Sequence, residues 1–117
     1  MSKSVAQVLD LKNDEELIKE YEEYHKKVWP EVLEGIKEAG IERMEIFRSA
    51  NHLFMYCLVG DNFDPNNDFP QQAKSNQKSI EWNKLMKKYQ QKVPTAKENE
   101  WWSPMTLAFD TEWFNER

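Results

Sequence analysis

Apolar and polar positions along the 117-residue chain follow two different rhythms, and the changes between them mark the elements. Residues 5–10 form a short run rich in apolar and β-branched side chains, which predicts a first strand. The period then lengthens. Leu17, Ile18, Tyr21, His25, Val28, Trp29, Val32 and Leu33 recur at spacings of three, four and seven, as on a helix with one buried face. Asn13 or Asp14 suits the N-cap, and Glu15 and Glu16 complement the positive end of the helix dipole. Pro30 removes a backbone donor and disfavours helical geometry at Trp29, so a kink or short break is expected there. A second segment over 31–39 would follow, stopped by Gly40.

The period of two returns over 41–48, where Met44, Ile46 and Arg48 alternate with Glu45 and Phe47. Residues 52–59 are the most β-like run in the chain. The short link between them predicts a hairpin whose turn uses Asn51, a residue that tolerates the left-handed region. Residues 60–70 carry the turn-forming types and read as a loop. A second helix is expected over 71–91, presenting Ile80, Trp82, Leu85, Met86 and Tyr89, with a bend where residues 75–79 interrupt its apolar face. After a connector over 93–103, Met105, Leu107 and Phe109 alternate within 104–111 as a last strand, followed by Trp113 and Phe114. The order βαββαβ predicts an α+β, ferredoxin-like domain spanning 1–117, with four antiparallel strands and the helices on one face. The other sheet face then needs a cover. Stacking of two such sheets, the dimeric α/β-barrel arrangement, makes a homodimer the expected assembly.

Composition narrows the functional classes. Five tryptophans, four tyrosines and six phenylalanines are many for so short a chain; most suit the core or a subunit contact, and a minority a floor for sugar rings. The net charge is −5, with lysines interleaved among glutamates, so no basic patch for nucleic acid is visible. No apolar run reaches the roughly 20 residues of a membrane span, and residues 1–7 lack a signal-peptide stretch. A cytoplasmic protein is expected. The single cysteine, Cys57, fits a reducing compartment and lies in an apolar strand, where it should be inert.

Tyr21, His25 and Trp29 stand four residues apart and line one side of the first helix. Histidine exchanges protons near neutrality, and a phenol one turn away can orient it or bind a sugar hydroxyl. A core histidine satisfied by its neighbours is the bland alternative. Glu22 and His25 have the spacing of a di-iron ligand pair, but His52, the only other histidine, has no matching partner, so no metal is expected. The acidic residues of 61–68 lack the calcium-loop spacing. No nucleophile elbow and no glycine-rich phosphate loop is present. The chemistry that remains is proton transfer in a shaped pocket without a cofactor.

Tyr21, His25, Trp29, Pro30 and Glu31, followed by Gly40 and Ile41, resemble the N-terminal signature of the L-rhamnose mutarotase family. The likeness continues through Met44–Phe47, Leu53–Met55 and the segment carrying Glu81, Trp82, Leu85 and Met86, and covers roughly residues 3–110. It implies a ferredoxin-like dimer, an isomerase that interconverts the α and β anomers of a 6-deoxy-L-hexose by acid–base ring opening. It implies His25 as proton donor to the ring oxygen and Tyr21 and Trp82 as sugar contacts. The base stays open, with a water held by Tyr21 or by Tyr24 as candidates. Met44 stands where the rhamnose enzymes carry a further tyrosine, and Trp82–Asn83 where they carry two tryptophans. Trp29, Met44 and Asn83 therefore complete the candidate substrate-binding set. The version around Gly40–Phe47 is more similar to relatives associated with L-fucose. Two other readings share the fold: a cofactor-free monooxygenase, and a non-enzymatic dimeric module that binds a sugar or metabolite.

Overall fold

The computed structural model describes residues 2–114; Met1 and residues 115–117 of the expected 1–117 domain lie outside the described residues. Strand β1 (Ser2–Leu11) leads into α1 (Glu15–His25) and α2 (Pro30–Glu38). Strands β2 (Ile41–Ser49) and β3 (His52–Gly60) follow, then α3 (Pro65–Ala73), α4 (Gln77–Met86), β4 (Gln90–Gln91) and β5 (Ser103–Pro104). The sheet runs β2-β3-β1-β4, all antiparallel, with β5 also on β1. That is the ferredoxin-like order, and the helices cover one face.

The first half follows from local chemistry. The Asp14 carboxylate accepts from the backbone N–H of Glu16 and Leu17 and caps α1. Trp29 is extended (φ −62°, ψ 137°), as a residue before proline should be, and Pro30 opens α2 at its first position. Of the kink or short break expected there, the break is what forms, between two helices. Gly40, at φ 90°, ends α2 in a conformation that side chains resist. Leu33 departs from the predicted buried face and is half exposed.

Other expectations are corrected. The left-handed residue of the hairpin is Ala50 (φ 52°), whereas the Asn51 side chain donates to the Leu11 carbonyl at 3.0 Å and ties the turn to β1. Much of the expected loop is helical: Asp64 caps α3, Pro65 opens it, and the Asp68 carboxylate accepts from the Asp64 N–H at 2.8 Å. The second helix is two helices, parted at residues 74–76 where the bend was expected, and the chain from Gln90 to Gln91 is strand rather than helix. Ile80 is exposed, not part of the buried face. The last strand pairs only at Ser103 and Pro104, with the Met105 N–H reaching the Ala6 carbonyl at 2.9 Å. Beyond it, residues 105–109 are all exposed, Met105, Leu107 and Phe109 among them, and no strand edge of the chain pairs with them among the described residues.

The core lies between sheet and helices. Leu9, Leu11 and Leu53 meet Tyr21, Val32, Trp82, Met86 and Tyr89, and a second cluster joins Ile41, Met55, Cys57 and Val59 to Phe63. Leu9 is fully buried at its centre. Leu9→Ala should therefore cost about 2–5 kcal/mol, read as a lower urea midpoint with an unchanged m-value.

Candidate functional site

The break at Pro30 shapes the site. Because α1 stops at His25, the histidine sits on the last turn, its ring free of a following helical turn. Its Nδ1 lies 2.8 Å from the Tyr21 carbonyl oxygen. A carbonyl only accepts, so Nδ1 carries the hydrogen and Nε2 keeps its lone pair in the neutral ring. The Tyr21 ring lies 4.1 Å from the imidazole, centroid to centroid, and Trp82 meets the imidazole edge-on at 5.4 Å. Burial lowers the His25 pKa below its usual 6.5, and the hydrogen bond to the Tyr21 carbonyl opposes that shift. Burial also raises the Tyr21 phenol, with the Gln90 side chain acting in the opposite sense. Tyr21 therefore remains a hydrogen-bond donor throughout the neutral range.

Two cavities open around this pair. A smaller one of about 360 Å³ lies between α1 and the β2–β3 end, lined by Tyr21, Glu22, His25, Ile46, Arg48 and Leu53. Glu22 and Arg48 form an ion pair across it, at 2.9 Å. A larger one of about 1380 Å³ runs from Tyr21 and His25 along the helix-facing side of the sheet to the 97–102 segment. Trp82, Asn83, Met44, Ile46, Met55, Gln7, Gln90 and Trp102 contribute to its walls.

The structure thus brings together Tyr21, His25, Met44, Trp82 and Asn83 on one cavity. Trp29 is placed behind them. Its ring packs edge-on against Trp82 at 5.1 Å, under the Lys78 ammonium at 5.5 Å, and it does not line either cavity. Tyr24 is likewise against Trp82 and Tyr89, away from the cavity walls. The amide nitrogen of Asn83 is engaged by the Ser79 carbonyl at 2.9 Å, one turn back on α4. Cys57 is buried, which pushes its thiol up to about 11 and keeps it un-ionised. Among the described residues no cluster of histidine, cysteine and carboxylate side chains could hold a metal, and no helix is long and apolar enough to cross a membrane.

Sequence reasoning missed Gln7, Gln90, Arg48 and Trp102. For Gln7 a signal existed: it interrupts the Val5, Leu9, Leu11 face of β1, where a polar residue needs a reason. Gln90 was hidden by its assignment to a helix, and Trp102 by its place in a connector.

Comparison with known proteins bears on the family and the fold. A family model described as L-rhamnose mutarotase matches residues 4–111. A UPF0734 protein of Dictyostelium discoideum is 49% identical over 118 residues, covering 98% of this chain and 94% of the relative. An L-fucose mutarotase of Xanthomonas campestris pv. campestris is 38% identical over 97 residues, covering 81% and 77%. Among solved structures, an L-rhamnose mutarotase from Formosa agariphila superposes with a TM-score of 0.67 at 22% identity, covering 92% of this chain and 97% of that one. Tetracenomycin F2 cyclase from Streptomyces glaucescens, a type-II polyketide cyclase, gives 0.59 at 17%, over the same shares. The two structural likenesses speak for the fold.

The depressed pKa of His25 has a measurable sign. An NMR titration of its ring protons should show an inflection below 6.5. The unfolded chain binds the proton more readily than the folded one. The contribution of His25 to stability is therefore complete above the ordinary histidine pKa and declines as pH falls through the folded-state value. An inflection above 6.5 would contradict the burial argument.

Proposed function

Because this chain belongs to the L-rhamnose mutarotase family, we propose that it interconverts the α and β anomers of a 6-deoxy-L-hexose, with His25 as the residue that moves the proton. The protein is an isomerase of the sugar mutarotase type. The observation that carries the finer reading is the His25 ring, with one nitrogen held by the Tyr21 carbonyl and the other free to act in a cavity walled by Tyr21 and Trp82. Met44, Ile46 and Met55 offer an apolar floor suited to a C6 methyl group.

Ring opening removes the proton of the anomeric hydroxyl and delivers one to the ring oxygen. A neutral imidazole starts as the base: Nε2 takes the O1 proton, the C1–O5 bond breaks, and O5 gains a proton from the Tyr21 phenol or a water beside it. Rotation about C1–C2 presents the other face of the aldehyde. O5 then attacks C1 and returns its proton, while the imidazolium protonates O1. No electrons leave the sugar and no water is consumed. A ring kept neutral by burial, with one nitrogen free, supports this base role in the opening step and the acid role in closure, where the resemblance alone suggested an acid toward the ring oxygen. Positioned acid–base catalysis contributes about 10²–10⁴-fold.

Saturation transfer between anomeric protons tests this directly, with L-fucose and L-rhamnose as substrates. Wild type should accelerate exchange of one of them, and His25→Ala should lose about 10²-fold or more. Exchange unaccelerated with either sugar would leave the binding-module and monooxygenase readings. For the wild type, kcat/KM should rise with pH through the His25 pKa, below 6.5, and stay level above it. A rate that falls as pH rises through that range would make His25 the acid in the opening step.

The outer sheet face carries Val8, Phe54, Tyr56 and Leu58, with Phe47 and Phe54 exposed and 6.1 Å apart. Met105, Leu107 and Phe109 add a second exposed apolar row. A patch of this kind favours a homodimer formed by stacking two outer faces. Sedimentation velocity should give a dimer, and Phe54→Glu a monomer that still folds; a wild type that stays monomeric at micromolar concentration excludes this arrangement.

A further inference from the structure

We propose that Gln7 is a specificity-determining residue, whose amide binds a ring hydroxyl on the side of the sugar away from the anomeric carbon held at His25. The proposal rests on the mutarotase reading and adds the residue that selects among its substrates.

Gln7 occupies the helix-facing side of β1, a face otherwise built from Val5, Leu9 and Leu11. It is 7% exposed and lines the larger cavity. Its one side-chain hydrogen bond among the described residues runs from Nε2 to the Met55 sulfur, at 3.2 Å. A thioether is a weak acceptor, and a primary amide carries two donors and a carbonyl with two lone pairs. Most of that capacity is therefore unspent within the protein, and the amide opens onto the cavity rather than being sealed in the core. A ligand rich in hydroxyls supplies what the protein does not.

The register places Gln7 at the right distance for one sugar ring. Ile46 pairs with Met55, and Met55 with Gln7, so the three form a single row across β2, β3 and β1. Strands lie about 4.8 Å apart, so Gln7 is about 10 Å from Ile46 across the floor. Ile46 also borders His25 in the smaller cavity. A hexose whose anomeric end sits under His25 spans the apolar pair Ile46–Met55 and reaches Gln7 with its far hydroxyls. Buried polar groups that are left unpaired by the wrong ligand are what make hydroxyl-reading sites selective.

The experiment pairs protein and substrate changes. Anomer exchange is measured for wild type and Gln7→Leu with the preferred sugar and with its 2-, 3- and 4-deoxy analogues. Wild type should lose about tenfold in kcat/KM with one analogue, mainly through KM, and Gln7→Leu should show that loss with the parent sugar and no further loss with the same analogue. Gln7→Met, which keeps length and apolar volume, provides the same readout if the leucine variant does not fold. An unchanged KM in the variants, or an equal penalty for every analogue in wild type and variant, overturns the role of Gln7 while leaving the mutarotase reading intact. A wild type that accelerates no anomer exchange overturns both.

Discussion

The packing of Trp82 is the contact on which the site depends. Its indole, 6% exposed on α4, meets Tyr24, His25 and Trp29 edge-on from three sides. Those residues come from the end of α1 and the junction with α2, so one side chain fixes the angle between helices that the Pro30 break would otherwise leave free. Edge-to-face geometry matters because each ring has a preferred approach, and the Trp82 edge, the Tyr21 ring and the Tyr21 carbonyl together restrict the imidazole's rotation. Trp29 then has a clear role without touching the cavity. It buttresses Trp82 from behind, and Lys78 extends the stack to solvent.

The same burial that orders the rings sets the proton chemistry. A histidine in this apolar surround is disfavoured as a cation, while the carbonyl of Tyr21 secures one tautomer. Together they present a neutral base with one free nitrogen at pH 7. Such a base suits a reaction that needs a proton taken from a sugar hydroxyl and then returned, with nothing oxidised. A more exposed histidine would spend part of its time protonated and part in the other tautomer, and would be available for less of the cycle. Tyr21 therefore acts twice, through its backbone on the imidazole and through its phenol on the cavity.

How far the chain could be read depended on whether the determining interactions were local. The N-cap at Asp14, the break at Pro30, the stop at Gly40 and the hairpin strands each rest on neighbours in sequence, and all were legible. Tyr21 and His25 were legible for the same reason, since helical spacing alone puts them together. Residues 60–70 hid a helix because two prolines and six Asn/Asp residues mimic a loop, although Asp64–Pro65 is also a helix start. The end of the second helix was overrun because Gln90 and Gln91 become strand only through pairing with Asp10 and Leu11, some eighty residues earlier. Ala50, rather than Asn51, takes the left-handed position because the Asn51 amide is more use bonded to Leu11.

The same distinction explains the cavity floor. Its polarity is set by strands that are far apart in sequence, so the only local sign of it was Gln7, which interrupts the apolar face of β1. Met44, Ile46 and Met55 make the β2–β3 side apolar, and Gln7 and Gln90 make the β1–β4 side polar. Where relatives of the rhamnose type carry a tyrosine on β2, Met44 withdraws a hydroxyl from one side of the floor. The amides on β1 and β4 restore hydrogen-bonding capacity on the other. A pyranose with a methyl group at one edge and hydroxyls at the opposite edge matches that division only in one orientation. Orientation is what the proposed reaction would require, because a single free nitrogen on His25 would have to be offered the anomeric oxygen.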